Sequence, residues 1–240
     1  MTTTRISMWS GPRNISTAIM YSFAQRSDTK VLDEPLYGHY LSKVAVQHPG
    51  QSDILSEMET DGQKVIDNIL LADYNAPVLF MKQMVHHLVH IDESFVDKTH
   101  NLLLIRDPYE VLCSYHKVRA NATLEDIGIK RQYELHQHLK ACNKPSLVIE
   151  SSYLLQNPEA LLKKICTFVG IPFEQNMLSW PKGARTYDGI WAKYWYDNVH
   201  QSTGFIPYRK KARILPPHLH TIYEQSKPYY DYLLAQAPTL

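Results

Sequence analysis

Cysteine is scarce in this chain. Cys113, Cys142 and Cys166 form an odd, widely spaced set. That excludes a disulfide framework and fits structural thiols in a reducing compartment. Charge of one sign is also missing: 25 Lys and Arg against 24 Asp and Glu leave a formal net charge of +1, which gives no basis for bulk nucleic-acid binding. No apolar run approaches the ~20 residues of a membrane span. The opening residues Met1 to Thr4 are polar, with no signal-peptide core behind them. A cytoplasmic protein with no nucleic-acid and no membrane partner is therefore expected. Internal repeats and low-complexity segments are lacking too. The 240 residues suffice for one domain with a substantial core. A local basic cluster, Arg209-Lys210-Lys211 with Arg213, reads either as an anion site or as a solvated loop.

Short, continuous apolar runs predict strands over 5–9, 30–33, 77–82, 101–105 and 146–149. Runs without polar alternation suit strands covered on both faces. Helical spacing falls between them, over 14–26, 62–73, 108–118, 123–141, 158–169 and 216–234. Pro108 and Pro158 open two of these, Thr123 and Asp126 make a near capping box, and Gly170 with Pro172 stops the helix of 158–169. Alternating strands and helices predict an α/β fold, a parallel sheet with helices on both sides, whose ligands bind at the carboxyl ends of the strands. Beyond Gly170 the chain is rich in Trp and Tyr (Trp180, Tyr187, Trp191, Tyr194, Trp195 and Tyr196) and has no clear strand. It is expected to form a cap or lid on a single domain spanning 1–240, with the core over about 5–172 and the cap and closing helix over about 173–240.

The first strand runs into Ser10-Gly11-Pro12-Arg13-Asn14-Ile15-Ser16-Thr17-Ala18. Strand, tight turn with small and hydroxyl residues, then helix is the layout of a phosphate-cradling loop. Backbone N–H groups at the helix start point at an anion, and the helix dipole favours negative charge there. The ATP-type loop requires a second Gly followed by Lys before the Ser/Thr. Both are missing, and the cation has moved forward to Arg13. A second anion signal follows the fourth strand: Arg106-Asp107-Pro108, then Val111 and Ser114 two helical turns on. An arginine fork plus a hydroxyl suits a phosphate monoester.

In these segments the chain resembles the sulfotransferases that use 3′-phosphoadenosine-5′-phosphosulfate (PAPS). Pro12-Arg13-Asn14-Ile15-Ser16-Thr17 matches their Pro-Lys-Ser-Gly-Thr-Thr loop, with Arg in place of Lys. Arg106-Asp107-Pro108, Val111 and Ser114 match the segment after their fourth strand. Glu150, Tyr153, Pro158 and Lys163-Lys164-Ile165 through Phe168-Val169-Gly170 are similar to their Tyr-Glu-Asp segment, Pro and Lys-Lys-Ile-x-x-Phe-Leu-Gly helix. The resemblance covers about residues 5–172. It implies a three-layer, P-loop NTPase-like topology and PAPS as co-substrate, with PAP as its desulfated product.

The resemblance also implies roles. Pro12, Arg13, Asn14, Ile15, Ser16 and Thr17 would hold the 5′-phosphosulfate, with Arg13 balancing charge on the bridging oxygen as the sulfuryl group leaves. Arg106 and Ser114 would bind the 3′-phosphate, which ATP lacks. The family's common His base is absent, because that segment reads Lys82-Gln83-Met84. Glu34, in a Glu-Pro segment similar to that of the bacterial trehalose sulfotransferase type, is the first candidate base. His86, close but out of register, is the second, and Lys82 is placed to touch the transferring group. Ser202, Thr203 and Gly204 occupy the place of the family's basic lid without matching its motif. Its adenine-stacking Trp is replaced by Ala18. Sulfuryl transfer through a loose transition state depends on positioning and fixed charge, so no metal is expected. The His86-His87-x-x-His90 spacing lacks the carboxylate helper of a helix-borne metal motif. The expected partner is a small-molecule hydroxyl or amine acceptor. A small-molecule kinase with a degenerate loop and a non-catalytic nucleotide-binding protein are the competing readings.

Overall fold

All five apolar runs become strands of one parallel sheet: β1 (Thr4–Ser10), β2 (Thr29–Asp33), β3 (Val78–Met84), β4 (His100–Ile105) and β5 (Ser146–Glu150), in the order β2-β3-β1-β4-β5. A computed structural model describes residues 3–238 except Val46 and Lys211. The helices are α1 (Ser16–Phe23), α2 (Tyr37–Lys43), α3 (Gln51–Glu57), α4 (Gly62–Val65), α5 (Pro108–Tyr115), α6 (Leu124–Ile127), α7 (Ile129–Ala141), α8 (Ser151–Gln156), α9 (Pro158–Val169), α10 (Ala192–Trp195), α11 (Asp197–His200) and α12 (His220–Leu234).

Alternate residues of each strand feed two cores, as a doubly covered sheet requires. Ile6, Met8, Phe80, Leu102 and Leu104 pack under α1 and α9 with Met177 and Trp180. Trp9, Leu79, Met81, Leu103 and Ile105 pack under α5, α7 and α12. A third cluster joins Tyr37, Tyr40 and Ile54 of α2 and α3 to Trp191 and Tyr196 of the cap.

Local chemistry explains most boundaries. Asn157 Oδ1 accepts from the Ala160 N–H at 3.1 Å, Pro158 opens α9, and Gly170 ends it at φ 75°. Glu150 caps α8 by accepting from the Ser152 and Tyr153 N–H groups. The expected single helix over 123–141 is two helices. Thr123 and Asp126 form a complete capping box on α6, and Gly128 then takes φ 72°, which a continuous helix cannot contain. The helix expected over 62–73 is α4 followed by a π turn at Ile66–Leu70. The helix expected over 216–234 starts as a 3-10 turn, Pro217–Leu219, ahead of α12.

Strand order places the loops after β1 and β4 side by side. The chain leaves β1 toward β2 and leaves β4 toward β5, so their carboxyl ends flank the point where the winding reverses.

Candidate active site

A cleft of about 720 Å³ opens at that point and runs under the cap. Residues Gly11 to Ala18 form one wall, with Arg106 and Ser114 beside them and Glu34, Lys82 and His86 further along.

Backbone contacts set the loop after β1. A Cβ on Gly11 would stand 2.2 Å from the Ile127 carbonyl oxygen, so only glycine lets the loop sit against the α6–α7 junction. Arg13 takes φ 57°, a left-handed conformation that is uncommon outside glycine. Asn14 donates to the Leu104 carbonyl at 3.0 Å and accepts from the Ile15 N–H at 2.9 Å, tying the loop to β4. Buried Gln132 of α7 donates to the Trp9 and Leu104 carbonyls at 3.0 and 2.9 Å, clamping the two strand ends together. The start of α1 has no side-chain cap.

Arg13 Nε donates to Ser114 Oγ at 3.1 Å, and Arg106 donates to the Arg13 carbonyl at 2.7 Å. Arg106 is further aligned by Glu110, at 3.1 and 2.8 Å, and Glu110 accepts from Tyr208 at 2.6 Å. The two anion signals read from the sequence thus share one hydrogen-bonded unit. Burial, followed by the charges of Arg106 and Arg213, lowers the Arg13 pKa. That crowding of cations favours an anionic ligand.

Glu34 stands at the carboxyl end of β2 with φ 44°. Its N–H donates to the Lys82 carbonyl at 2.8 Å, its carbonyl accepts from the Tyr37 N–H at 2.9 Å, and it is only 8% exposed. A left-handed glutamate costs about 1–3 kcal/mol and persists where surroundings over-determine it. Lys82, opposite Asp33 in the β2–β3 register, donates to Glu34, to Asp33 at 2.9 Å and to Tyr196 Oη at 2.7 Å. Burial disfavours the Lys82 charge, but Asp33 and then Glu34 outweigh it and push its pKa well above the ordinary value. Burial raises the Glu34 pKa, against the pull of Lys82.

His87 lies 4.0 Å from Glu34, its ring packed near-parallel to Tyr37 (ring centroids 4.9 Å, 9° apart) and to Tyr40 (4.7 Å, 26°). His86 packs edge-on against His87 at 4.8 Å. Burial first, then His48 and Arg119, drive its pKa down to about 3, so the ring is neutral at ordinary pH.

Ser202 and Gly204 line the cleft, and Thr203 is not among its lining residues. The Ser202 hydroxyl accepts from Trp180 Nε1 at 3.1 Å and donates to the Val199 carbonyl at 2.7 Å. The Thr203 carbonyl accepts from the Trp180 N–H at 3.1 Å, and Gly204 bridges to Ser179. This segment is therefore fastened to the core through Trp180. Of the basic cluster, Lys211 lies outside the described residues.

Sequence reasoning missed Asp33 as a buried partner of Lys82 and Gln132 as a clamp. It marks the Trp and Tyr residues between 180 and 205 as candidates for the adenine or acceptor pocket, but does not foresee the bonds from Tyr196 to Lys82 and Asp33. Asp33 was visible beside Glu34. The others sit in stretches where aromatic or helical spacing reads as packing.

The five-strand parallel sheet, covered on both faces and with the loop after β1 at its switch point, defines an α/β fold of the doubly wound class. Within that class the chain belongs to the sulfotransferase family, whose sulfotransferase domain profile matches residues 4–236. The sulfotransferase domain from the curacin biosynthetic pathway shares the fold at 15% identity, with a TM-score of 0.55 and 99% of both chains covered. A sulfotransferase from Alicyclobacillus acidocaldarius does so at 9% identity and TM-score 0.55, over 99% of this chain and 98% of that one. In sequence, the chain is 34% identical over 229 residues to "Branched-chain-amino-acid aminotransferase-like protein 2" of Arabidopsis thaliana. The match takes in 95% of this chain and 41% of that protein. The chain thus spans about two fifths of the length of the curated relatives it matches. Among the described residues, no helix is long and apolar enough to cross a membrane.

Proposed function

We propose that this domain is a cytoplasmic enzyme that transfers a sulfuryl group from PAPS to a hydroxyl or amine of a small-molecule acceptor. The observation that carries the reading is the Arg106–Arg13–Ser114 unit, which joins the loop after β1 to α5 in the cleft that also holds Glu34 and Lys82. In this reading Arg106 and Ser114 hold the 3′-phosphate, and the amides of Arg13 to Thr17 with the Ser16 and Thr17 hydroxyls hold the 5′-phosphosulfate. Ser202 and Gly204 close the nucleotide side of the cleft.

Glu34 accepts the acceptor's proton as the acceptor oxygen or nitrogen forms its bond to sulfur and the bridging sulfur–oxygen bond breaks. The electron pair of that bond leaves with PAP, and Arg13 balances the charge arriving on the bridging oxygen. Lys82 fixes the direction of the Glu34 carboxylate; its three N–H bonds go to Glu34, Asp33 and Tyr196, so toward the sulfuryl group it offers fixed positive charge. A sulfuryl group carries less charge than a γ-phosphoryl group, so fixed arginine and lysine charge can serve where a kinase uses magnesium. Tyr37, His86, His87, Trp191 and Trp195 line the acceptor side. Neutral His86 serves there as a polar wall rather than as the base.

The test is a PAPS-to-PAP assay against a metabolite pool, with the sulfated product identified by mass and magnesium omitted. PAP is expected to raise the Tm, and Arg106→Ala to abolish that rise. Equal stabilisation by ATP would refute the 3′-phosphate assignment, and a strict need for magnesium would indicate a kinase.

A further inference from the structure

Glu34 and Lys82 alone would form a buried ion pair, and a carboxylate fully matched by an ammonium is a weak base. The structure supplies a second carboxylate. Asp33, whose side chain is 2% exposed, accepts from Lys82 at 2.9 Å, from Tyr196 at 2.7 and 2.9 Å, and from the Gly189 N–H at 3.0 Å. Tyr196 Oη in turn accepts from Lys82 and from Trp191 Nε1, the latter at 3.3 Å. Asp33 therefore carries donors from β3 and from two points of the cap, whereas Glu34 has Lys82 as its single strong donor.

We propose that Asp33 is a positioning residue, held by Tyr196 and the Gly189 amide, that takes up the Lys82 charge and so leaves Glu34 basic, making the strength of the base depend on the seating of the cap. This rests on the reading of Glu34 as the general base. Glu34 is faced by Asp33 on its own strand, Lys82 on β3, His87 on the turn after β3, Tyr37 on α2 and Tyr196 on the cap. His87 is kept neutral by burial, which leads the lowering of its pKa, with proximity to His86 and to the Lys82 charge adding to it. Burial keeps both tyrosines protonated, with Glu34 adding to the effect for Tyr37 and Asp33 for Tyr196. Beyond burial, the groups that act on the Glu34 pKa are thus Lys82, which lowers it, and Asp33, which raises it.

The test is an NMR titration of the Glu34 side-chain carboxyl carbon in the full chain, for the parent, Asp33→Asn and Tyr196→Phe. Glu34→Gln identifies the resonance. This readout does not depend on turnover. The expected result is a Glu34 midpoint that moves to lower pH in Asp33→Asn and, by a smaller step, in Tyr196→Phe, which keeps the packing while removing the hydroxyl. The acid limb of kcat/KM for sulfation should move with it, and the plateau should fall about tenfold as the base weakens. A Glu34 midpoint unchanged in both variants, with the PAP-induced rise in Tm retained, overturns the proposal. The reading beneath it fails separately, if Glu34→Gln sulfates as fast as the parent.

Discussion

Gly11 has no room for a side chain, and the atom in the way is a backbone carbonyl, which cannot step aside. Gly11→Ala is expected to cost about 1–3 kcal/mol by overpacking, and more in function, because relief requires the loop to leave the α6–α7 junction. Thermal unfolding with and without PAP checks this: the Tm should fall, and the PAP-induced rise should shrink by more than the stability loss explains. A parent-like PAP response would show that the loop tolerates the shift. At this scale the sequence was informative where a residue type is itself the signal. Gly11, Arg13, Arg106 and Ser114 could be singled out from local pattern, and Glu34 only through the family resemblance; the structure brings all five into one cleft. Asp33 could not be ranked above an ordinary turn residue. Its importance lies in partners drawn from positions 82, 189 and 196.

Among elements, the break between α6 and α7 matters most to the site. Periodicity alone carries a helix through 123–141, because Gly within a helical pattern is tolerated at a cost of about 1 kcal/mol. The structure uses Gly128 at φ 72° instead, turning the Ile127 carbonyl toward Gly11 and sending α7 back along the sheet with Gln132 under β1 and β4. Gly128→Ala is expected to destabilise by about 1–3 kcal/mol from backbone strain, with a further penalty because the new Cβ would sit 2.7 Å from Val85 Cγ1. Thr123→Ala, which removes only the cap of α6, should cost about 1 kcal/mol. Chemical denaturation of the two variants checks the order. If Gly128→Ala were the milder change, a continuous helix would be within reach of this chain. The short helices α2, α3, α10 and α11 escaped pattern reading because they have too few turns to show a period. Except for α11, which buries no residue of its own, they contribute buried aromatic and aliphatic residues to the cluster joining the cap to the sheet edge.

For the whole molecule, buried imidazoles impose a pH dependence. His48, His86, His87, His100 and His136 all have depressed pKa values, with burial the leading cause in each. A histidine whose folded pKa lies below the unfolded value binds fewer protons folded than unfolded in the interval between them. Its contribution is complete above about pH 6.5 and is lost as the pH falls toward the folded value, about 3 for His86. Glu34, Asp107 and Glu150 act in the opposite sense, since burial raises each of their pKa values and makes their contribution fade as pH rises. The five histidines outnumber these three, so the Tm is expected to drop between pH 6.5 and 5. His87→Gln should show a shallower drop than the parent across that interval, and parallel curves would refute the assignment.

The sequence by itself determined the strands, the parallel α/β class, the motifs of the loops after β1 and β4, and the family that those motifs resemble. Those properties follow from apolar runs, caps and residue types that act within a turn or two of chain. Tertiary structure alone decided which of these came together. It set the reversal of winding that puts Arg13 beside Ser114, the break at Gly128 that seats the loop, and the descent of Tyr196 from the cap onto Asp33 and Lys82. Each of these joins residues far apart in the chain, through contacts that form only when the sheet order and both layers are already in place.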